Sequence, residues 1–597
     1  MKESIAIADY ETYKIGERPN ESPPKPVGCA LKIPGGKSKY YAWGHPCENN
    51  CTFSEFKRIM KQTVKKYKTV YHNAKFDIEV SEKWLDIPLP NPDMYECTML
   101  LAYLRNPRER DLKLKNLADR WLNLPPDEQT ELKNWIIKNI KGAKESNWGE
   151  FIAFAPGDLV GKYAIGDIDR TELLYYEFHP YIVEHGMSEA YLTEKIVLPI
   201  TLEMERKGVP IDVKRLNQDL KAAYKLRDKS IDAVKKKLGV KEFNPGAPTQ
   251  VIPLFEKAGL VHPDDWITTE KGNIRIGIEH LSQVCNDKNI IKHMEMHSKL
   301  TKVISTYMEP WLKSAKDHGV FYPWFNQTRG DNDHGTKSGR FSSNFQQTPR
   351  EPDERLVGLP WMRNYVTGDS SKHIVLRRDF CQQEVRILAY YEDGELYNAY
   401  LKNPHLDVHD LVGMLIKERS GLDLSRIIVK TCNFLIIYGG GAPALQEQLG
   451  LSLSECKTIL KAHAKALPGA KELANDIMKQ CKRGEPIYTA GGREYYAERG
   501  YEWRMTNMLI QAGAADHAKR SMIRIHEAFK KLEDTRIMIT VHDEFIVSTP
   551  YTSKKDKAMV MTTFRDAMNN DDLFNPIAMI SDGKWGNTWG GSVKCPI

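Results

Sequence analysis

The stretch Arg426-Ile-Ile-Val-Lys430-Thr-Cys-Asn-Phe434-Leu-Ile-Ile-Tyr438-Gly439 constrains this chain most, because two cations and two aromatics recur every fourth residue. On a helix, that spacing puts all four side chains on one stripe. At about 1.5 Å of rise per residue the stripe runs roughly 18 Å, long enough to meet phosphates at one end and a sugar or base at the other. Taken alone, the same pattern also fits a buried amphipathic helix with an aromatic edge. The flanking segments decide between the two readings.

Upstream, His373-Ile-Val-Leu-Arg-Arg-Asp379 reads as a short strand ending at a carboxylate, and Phe380-Cys-Gln382-Gln-Glu384-Val-Arg386 as a helical start. Downstream, Arg536 to Ser548 reads as two β-rich runs joined by the acidic turn His542-Asp543-Glu544. Either aspartate alone is an ordinary turn residue. Together, at adjacent strand ends, they can hold two Mg²⁺ ions about 4 Å apart, one activating a hydroxyl and the other neutralising a leaving pyrophosphate.

The first part of the chain carries separate chemistry. Ile5-Ala-Ile-Ala-Asp9-Tyr-Glu11 alternates, so Ile5, Ile7, Asp9 and Glu11 share one strand face. His72-Asn-Ala-Lys-Phe-Asp77 follows another β-rich run, Lys68 to Tyr71. Tyr163 and Asp167 then stand one helical turn apart, on a helix whose cap is read as Asp158.

In this order the Asp379, Arg426 and His542-Asp543-Glu544 segments resemble motifs A, B and C of the DNA polymerase I family, family A. The resemblance runs from about Glu203 to the C-terminus. It implies that Arg426, Lys430 and His409 contact a deoxynucleoside triphosphate, with Lys430 relieving the departing pyrophosphate and Phe434 and Tyr438 packing on sugar and base. The run from Gly439 to Gly441 lets that helix end beside the template. Gln382 belongs to the same nucleotide pocket, and Glu384 is similar to the family's steric gate against a 2′-hydroxyl. Asp379, Asp543 and the Phe380 carbonyl, where the family commonly has tyrosine, are the implied metal ligands, with Glu544 catalytic beside them. Thr336-Lys-Ser-Gly-Arg340-Phe-Ser-Ser343 looks like a primer–template segment that continues to Asn344 and Gln347. Arg386, Asn507, Gln511 and His542 are further implied DNA contacts. The N-terminal carboxylates resemble the DEDD family of 3′–5′ exonucleases in its tyrosine version. Asp9, Glu11, Asp77 and Asp167 would hold two metals, and Tyr163 would orient the attacking water. Mg²⁺, two ions per site, is the implied cofactor, with Mn²⁺ as a substitute.

The implied architecture is α/β and multidomain. A ribonuclease H-like exonuclease domain is expected over 1–184 and a right-hand polymerase over 185–597, with a thumb at about 213–301, palm segments at about 302–410 and 489–597, and fingers at about 411–488. A helical connector is expected around Glu189 to Leu202. The basic run from Lys214 to Lys237 has apolar positions at helical spacing, the composition of a thumb lying along a phosphate backbone. Net charge is only +7, from 86 basic against 79 acidic residues, so overall charge does not identify a polyanion partner. The ten cysteines show no zinc-ribbon spacing, and no signal peptide or membrane span is visible. The expectation is a cytoplasmic monomer without membrane association, with primer–template DNA and deoxynucleotides as partners and replisome proteins such as a helicase or single-strand-binding protein as candidates. A chain opening directly on the exonuclease strand implies no separate 5′ nuclease domain, as in bacteriophage replicative members. Single-subunit RNA polymerases share a palm with two aspartates, but Glu384 and the proofreading motifs favour DNA. An exonuclease with a degraded polymerase would lose the triphosphate grip, and a noncatalytic DNA-binding module would lack so many carboxylates at strand ends.

Overall fold

The computed structural model describes residues 4–125, 127–269, 271–328, 335–352, 356–437 and 440–595. Near the N-terminus, β1 (Ile5–Thr12), β2 (Pro26–Lys32), β3 (Lys39–Ala42), β4 (Lys68–Tyr71) and β5 (Tyr95–Cys97) form one sheet in the order β3-β2-β1-β4-β5. β1 runs antiparallel to β2 and parallel to β4, so it is central and buried on both faces from Ile5 to Ala8. Helices α1 (Ala74–Leu85), α2 (Thr98–Arg105) and α3 (Gly157–Glu184) cover it. The expected Asp158 cap is corrected. Pro156 is the N-cap residue, and Asp158 lies in the first turn, where its carboxylate accepts from the Leu159 N–H at 2.6 Å beside the positive helix end.

Helix α4 (Ser188–Lys207) links two cores. Ala190, Tyr191 and Leu198 pack into the first, whereas Val197, Ile200 and Met204 pack into the second. The basic run forms α5 (Val213–Leu238), packed against α6 (Lys288–Val303). Asp212 caps α5 by accepting from the Arg215 N–H at 3.0 Å, and Leu216, Leu220, Ala223, Ile231 and Val234 form its buried stripe. Lys235, Lys236 and Lys237 crowd its last turn, the favourable end for cations.

The second sheet holds β6 (Ile374–Phe380), β7 (Arg536–Val541), β8 (Glu544–Thr549), β9 (Ser581–Gly586) and β10 (Val593–Lys594), all antiparallel, in the order β7-β8-β6-β9-β10. Strand periodicity divides the two faces. Phe545 and Val547 join one core, and Ile546, between them, joins another with Trp311 and Trp589. Around this sheet stand α7 (Gln383–Glu392), α8 (Val408–Ser420), α9 (Arg426–Ile437), α10 (Leu453–Ala466) and α11 (Met505–Phe529), whose Ile510, Ala514, Ala518 and Met522 pack on the Phe545 face.

Candidate active sites

On β1 the alternation puts Asp9 and Glu11 on the same face, and α3 brings Asp167 to them. One carboxylate oxygen from each of the three lies within 4.8 Å of the others. Asp77, on α1, is turned differently. It is buried and accepts from the Tyr10 N–H at 3.3 Å, so it sits beside this trio rather than in it. Burial, then the Asp167 carboxylate, push Asp9 up to about 7, against the opposing charge of Lys115. Burial first and neighbouring carboxylates second also raise Glu11 and Asp77. Lys115, which sequence reasoning missed, donates to Asp167 at 3.0 Å and lies 3.6 Å from the centre of the Tyr163 ring. A cation is therefore already drawn to the trio, and hard carboxylate oxygens at this spacing suit a divalent ion such as Mg²⁺ or Mn²⁺.

The second site forms where β6 ends beside the β7–β8 turn. Asp379 pairs in register with Glu544 on one side and Asp582 on the other, and the Phe380 N–H donates to the Asp543 carbonyl at 3.3 Å. The Asp379 and Asp543 carboxyls lie close enough that the charge of one bears on the other. Burial, then the charge of Asp543, push Asp379 up to about 8, and burial raises Asp543 against the pull of Arg350, whose guanidinium stands 3.4 Å away. Asp379 Oδ1 is buried with no hydrogen-bond partner. An orphaned carboxylate oxygen beside a second buried carboxylate fits a divalent ion.

The turn itself is specialised. His542 takes φ +56°, and its N–H donates to Gln346 Oε1 at 3.2 Å, which holds the turn against the segment that follows Ser343. Glu544 lines the same cavity as Asp379 and Asp543, but its carboxylate is already occupied. Its carboxylate accepts from Arg363 at 3.0 Å, Arg377 at 2.9 Å and the Trp589 indole at 3.3 Å, a cage that suits a positioning group rather than a metal ligand. Gln346, Arg350, Arg363 and Arg377 are unevenly spaced in one segment remote in sequence from the turn they reach, and no sequence pattern marks them.

Asp379, Asp543, Gln382, Glu384, His409, Lys430, Phe434, Arg340 and His542 line one cavity of about 790 Å³. Lys430 is exposed on its wall, and Arg426, one turn earlier on α9, is tied to Asp407 and to Asp410 at 3.2 Å. Tyr438 and Gly439 lie outside the described residues. His409 is buried and bonded to Asn433 at 2.9 Å, and Asn433 in turn to His463 at 2.6 Å, so a relay missed in the sequence fixes the imidazole against α9. Gln382, at φ +56°, accepts from the Tyr400 hydroxyl at 2.7 Å, and Glu384 is paired with Arg340.

Among the expected DNA contacts, Asn507 and Gln511 are half-buried on α11, and Gln347 is exposed. Ser343 is buried, its hydroxyl accepting from the Phe345 N–H at 3.3 Å, and Asn344 accepts from the Trp324 N–H at 3.3 Å. Arg386 is a correction. It is 2% exposed and donates to the carbonyls of Cys381, Ala578 and Pro404 at 2.7 to 2.8 Å, so it braces α7 from inside and faces no DNA.

Residues 212–591 match the family model for DNA polymerase family A, and residues 20–182 match one for a 3′-5′ exonuclease. DNA polymerase I of Helicobacter pylori strain J99 is 28% identical over 446 residues, 69% of this chain and 47% of that protein. The chain thus spans about half the length of that relative, and 43% of its counterpart from a second Helicobacter pylori strain. DNA polymerase DpoZ of Vibrio phage phiVC8 is 25% identical and aligns over 95% of this chain and 93% of its own. The POL domain of Pol1 from M. smegmatis, solved in complex with DNA primer-template and dNTP, superposes with a TM-score of 0.75 at 20% identity, covering 95% of this chain and 94% of that one.

Proposed function

The chain belongs to DNA polymerase family A and carries a 3′-5′ exonuclease domain ahead of its polymerase region, and on that premise we propose that it extends DNA primers and edits the ends it makes. The observation that carries the reading is the convergence of Asp379 and Asp543, far apart in the chain, in one cavity with Lys430, His409, Phe434 and Glu384. Lys430 and Arg426 offer positive charge along one helix face to a triphosphate. Phe434 supplies an apolar surface for the sugar, and Glu384, fixed by Arg340, crowds a 2′-hydroxyl. Asp379, Asp543 and the Phe380 carbonyl would hold two Mg²⁺ ions, which when bound lower the pKa of the primer 3′-hydroxyl and neutralise the leaving pyrophosphate. Glu544, locked among Arg363, Arg377 and Trp589, holds the turn that aims Asp543.

In the exonuclease domain, Asp9, Glu11 and Asp167, with Asp77 alongside, form the corresponding site. Tyr163 orients the attacking water there, and Lys115 steadies both its ring and Asp167. Recognition of closely similar bases supplies only a few kcal/mol of discrimination, and a hydrolytic site on the same chain raises it. The near full-length alignment with the phage protein supports a phage-encoded enzyme; a replicative monomer acting on primer–template DNA in the host cytoplasm is the setting proposed for it. Among the described residues no helix is long and apolar enough to cross a membrane.

A primer labelled at its 5′ end and annealed to a template tests both activities. Lengthening with deoxynucleotides and shortening without them is expected, each abolished by a chelator and restored by Mg²⁺ or Mn²⁺. A primer unchanged under all conditions contradicts the reading.

A further inference from the structure

We propose that Tyr103, a residue of the exonuclease domain, is a positioning residue for the polymerase pocket, holding the Thr336–Arg340 turn and through it the Arg340–Glu384 pair. The inference rests on the reading of Glu384 as the group that faces the sugar. Tyr103 lies on α2 and is 1% exposed, yet its ring is not merely a filler of the N-terminal core. Its hydroxyl donates to the Thr336 carbonyl at 2.7 Å and accepts from the Gly339 N–H at 3.0 Å, so one phenol satisfies two backbone groups of a segment more than 230 residues away. Inside the turn, the Thr336 hydroxyl donates to the Arg340 carbonyl at 2.7 Å, and the Arg340 guanidinium pairs with Glu384. The path therefore runs unbroken from an exonuclease helix to the wall of the polymerase cavity.

The other side of the turn is equally fixed. Gly339 sits at φ +82°, and a Cβ added there would lie 3.1 Å from the Arg493 guanidinium. Arg493 is buried and held by Glu194 of α4 and Asp516 of α11. The turn is thus wedged between a phenol of one domain and an immobilised arginine of the other. Packing alone would be served by phenylalanine. What the hydroxyl adds is a fixed backbone path for Arg340, and losing it leaves the buried Gly339 N–H and the half-buried Thr336 carbonyl without this partner. Discrimination against ribonucleotides then depends on how the exonuclease domain is seated.

The test is a double-mutant cycle on the full chain with Tyr103→Phe and Glu384→Ala, reading kcat and KM for deoxynucleotide and ribonucleotide separately. Tyr103→Phe is expected to lower the deoxy-over-ribo ratio of kcat/KM by about fivefold, the scale of one lost hydrogen bond. Deoxynucleotide KM should rise more than kcat falls, and excision of single-stranded DNA should be unchanged. In the Glu384→Ala background the same substitution should have no further effect on the ratio, because the two act through one contact. An unchanged ratio in Tyr103→Phe, or a full effect that persists without Glu384, overturns the proposal. Glu384→Ala that leaves discrimination intact is a distinct result, which removes the sugar-facing reading itself and the inference with it. Thr336→Val reaches the same turn from within the polymerase. If Tyr103→Phe lowers the yield of folded protein, Thr336→Val replaces it in the cycle, and unaltered discrimination there counts against the proposal.

Discussion

At the residue scale, a carboxylate's meaning is set by what surrounds it. Asp379 and Asp543 were legible in the sequence because each stands where an apolar β run stops, and the fold brings those ends together. Glu544 follows Asp543 directly and stands across the sheet from Asp379, yet its carboxylate is taken up by a cage of two arginines and an indole. Arg386 departs from its expected role for a related reason. A cation beside a catalytic motif looks like a DNA contact, and only the fold reveals three main-chain carbonyls waiting for it inside. Lys115 and Arg350 carried no signal, being single cations that reach their carboxylates through tertiary structure. Glu384→Ala is expected to raise ribonucleotide incorporation about tenfold or more by opening the space beside the sugar, measured as the ratio of kcat/KM values. No change in that ratio removes the gate assignment.

Helices and strands set how these residues are held. The stripe of Arg426, Lys430 and Phe434 was visible as a four-residue spacing, and α9 brings Lys430 and Phe434 to the cavity while Arg426 is tied to Asp407 and Asp410. The Asn433 to His463 relay was not, because an asparagine between two cysteine- and phenylalanine-bearing positions has no period of its own. Helix α11 is anchored by Asp571, which accepts from Arg524 at 2.6 Å and Arg520 at 3.1 Å. Those cations outweigh the cost of burial and hold Asp571 down at about 2, below its ordinary 3.8. A depressed carboxylate stabilises the fold above pH 3.8 and loses that contribution as pH falls through about 2. Asp571→Asn should therefore cost about 2 kcal/mol in urea unfolding at neutral pH, and the gap between variant and parent should narrow as pH falls below 3.8. A gap constant with pH contradicts the ion-pair account. On α5, Lys214, Lys221 and Lys225 are exposed. Replacing all three with glutamine should weaken DNA binding and reduce the slope of log affinity against log salt by about three. An unchanged slope places DNA elsewhere.

Across the whole molecule, one helix joins the two sites. Lys75 and Glu79 flank Asp77 on α1, and they pair with Glu205 at 2.6 Å and Arg206 at 3.1 Å at the end of α4. Farther back on α4, buried Glu194 holds Arg493 and Lys519 of the polymerase region. The order of the segments and the division into two catalytic regions could be read from motif order, because each motif is local. How the regions are seated could not, since the contacts that seat them join residues 127 to 325 positions apart. The account's central claim is that two separate carboxylate sites act on one primer end. The most direct measurement follows one labelled primer–template with Asp543→Ala and Asp9→Ala side by side. Asp543→Ala should abolish extension and leave excision intact, and Asp9→Ala should abolish excision and leave extension intact. Equal loss of both activities in folded Asp543→Ala protein would contradict the claim.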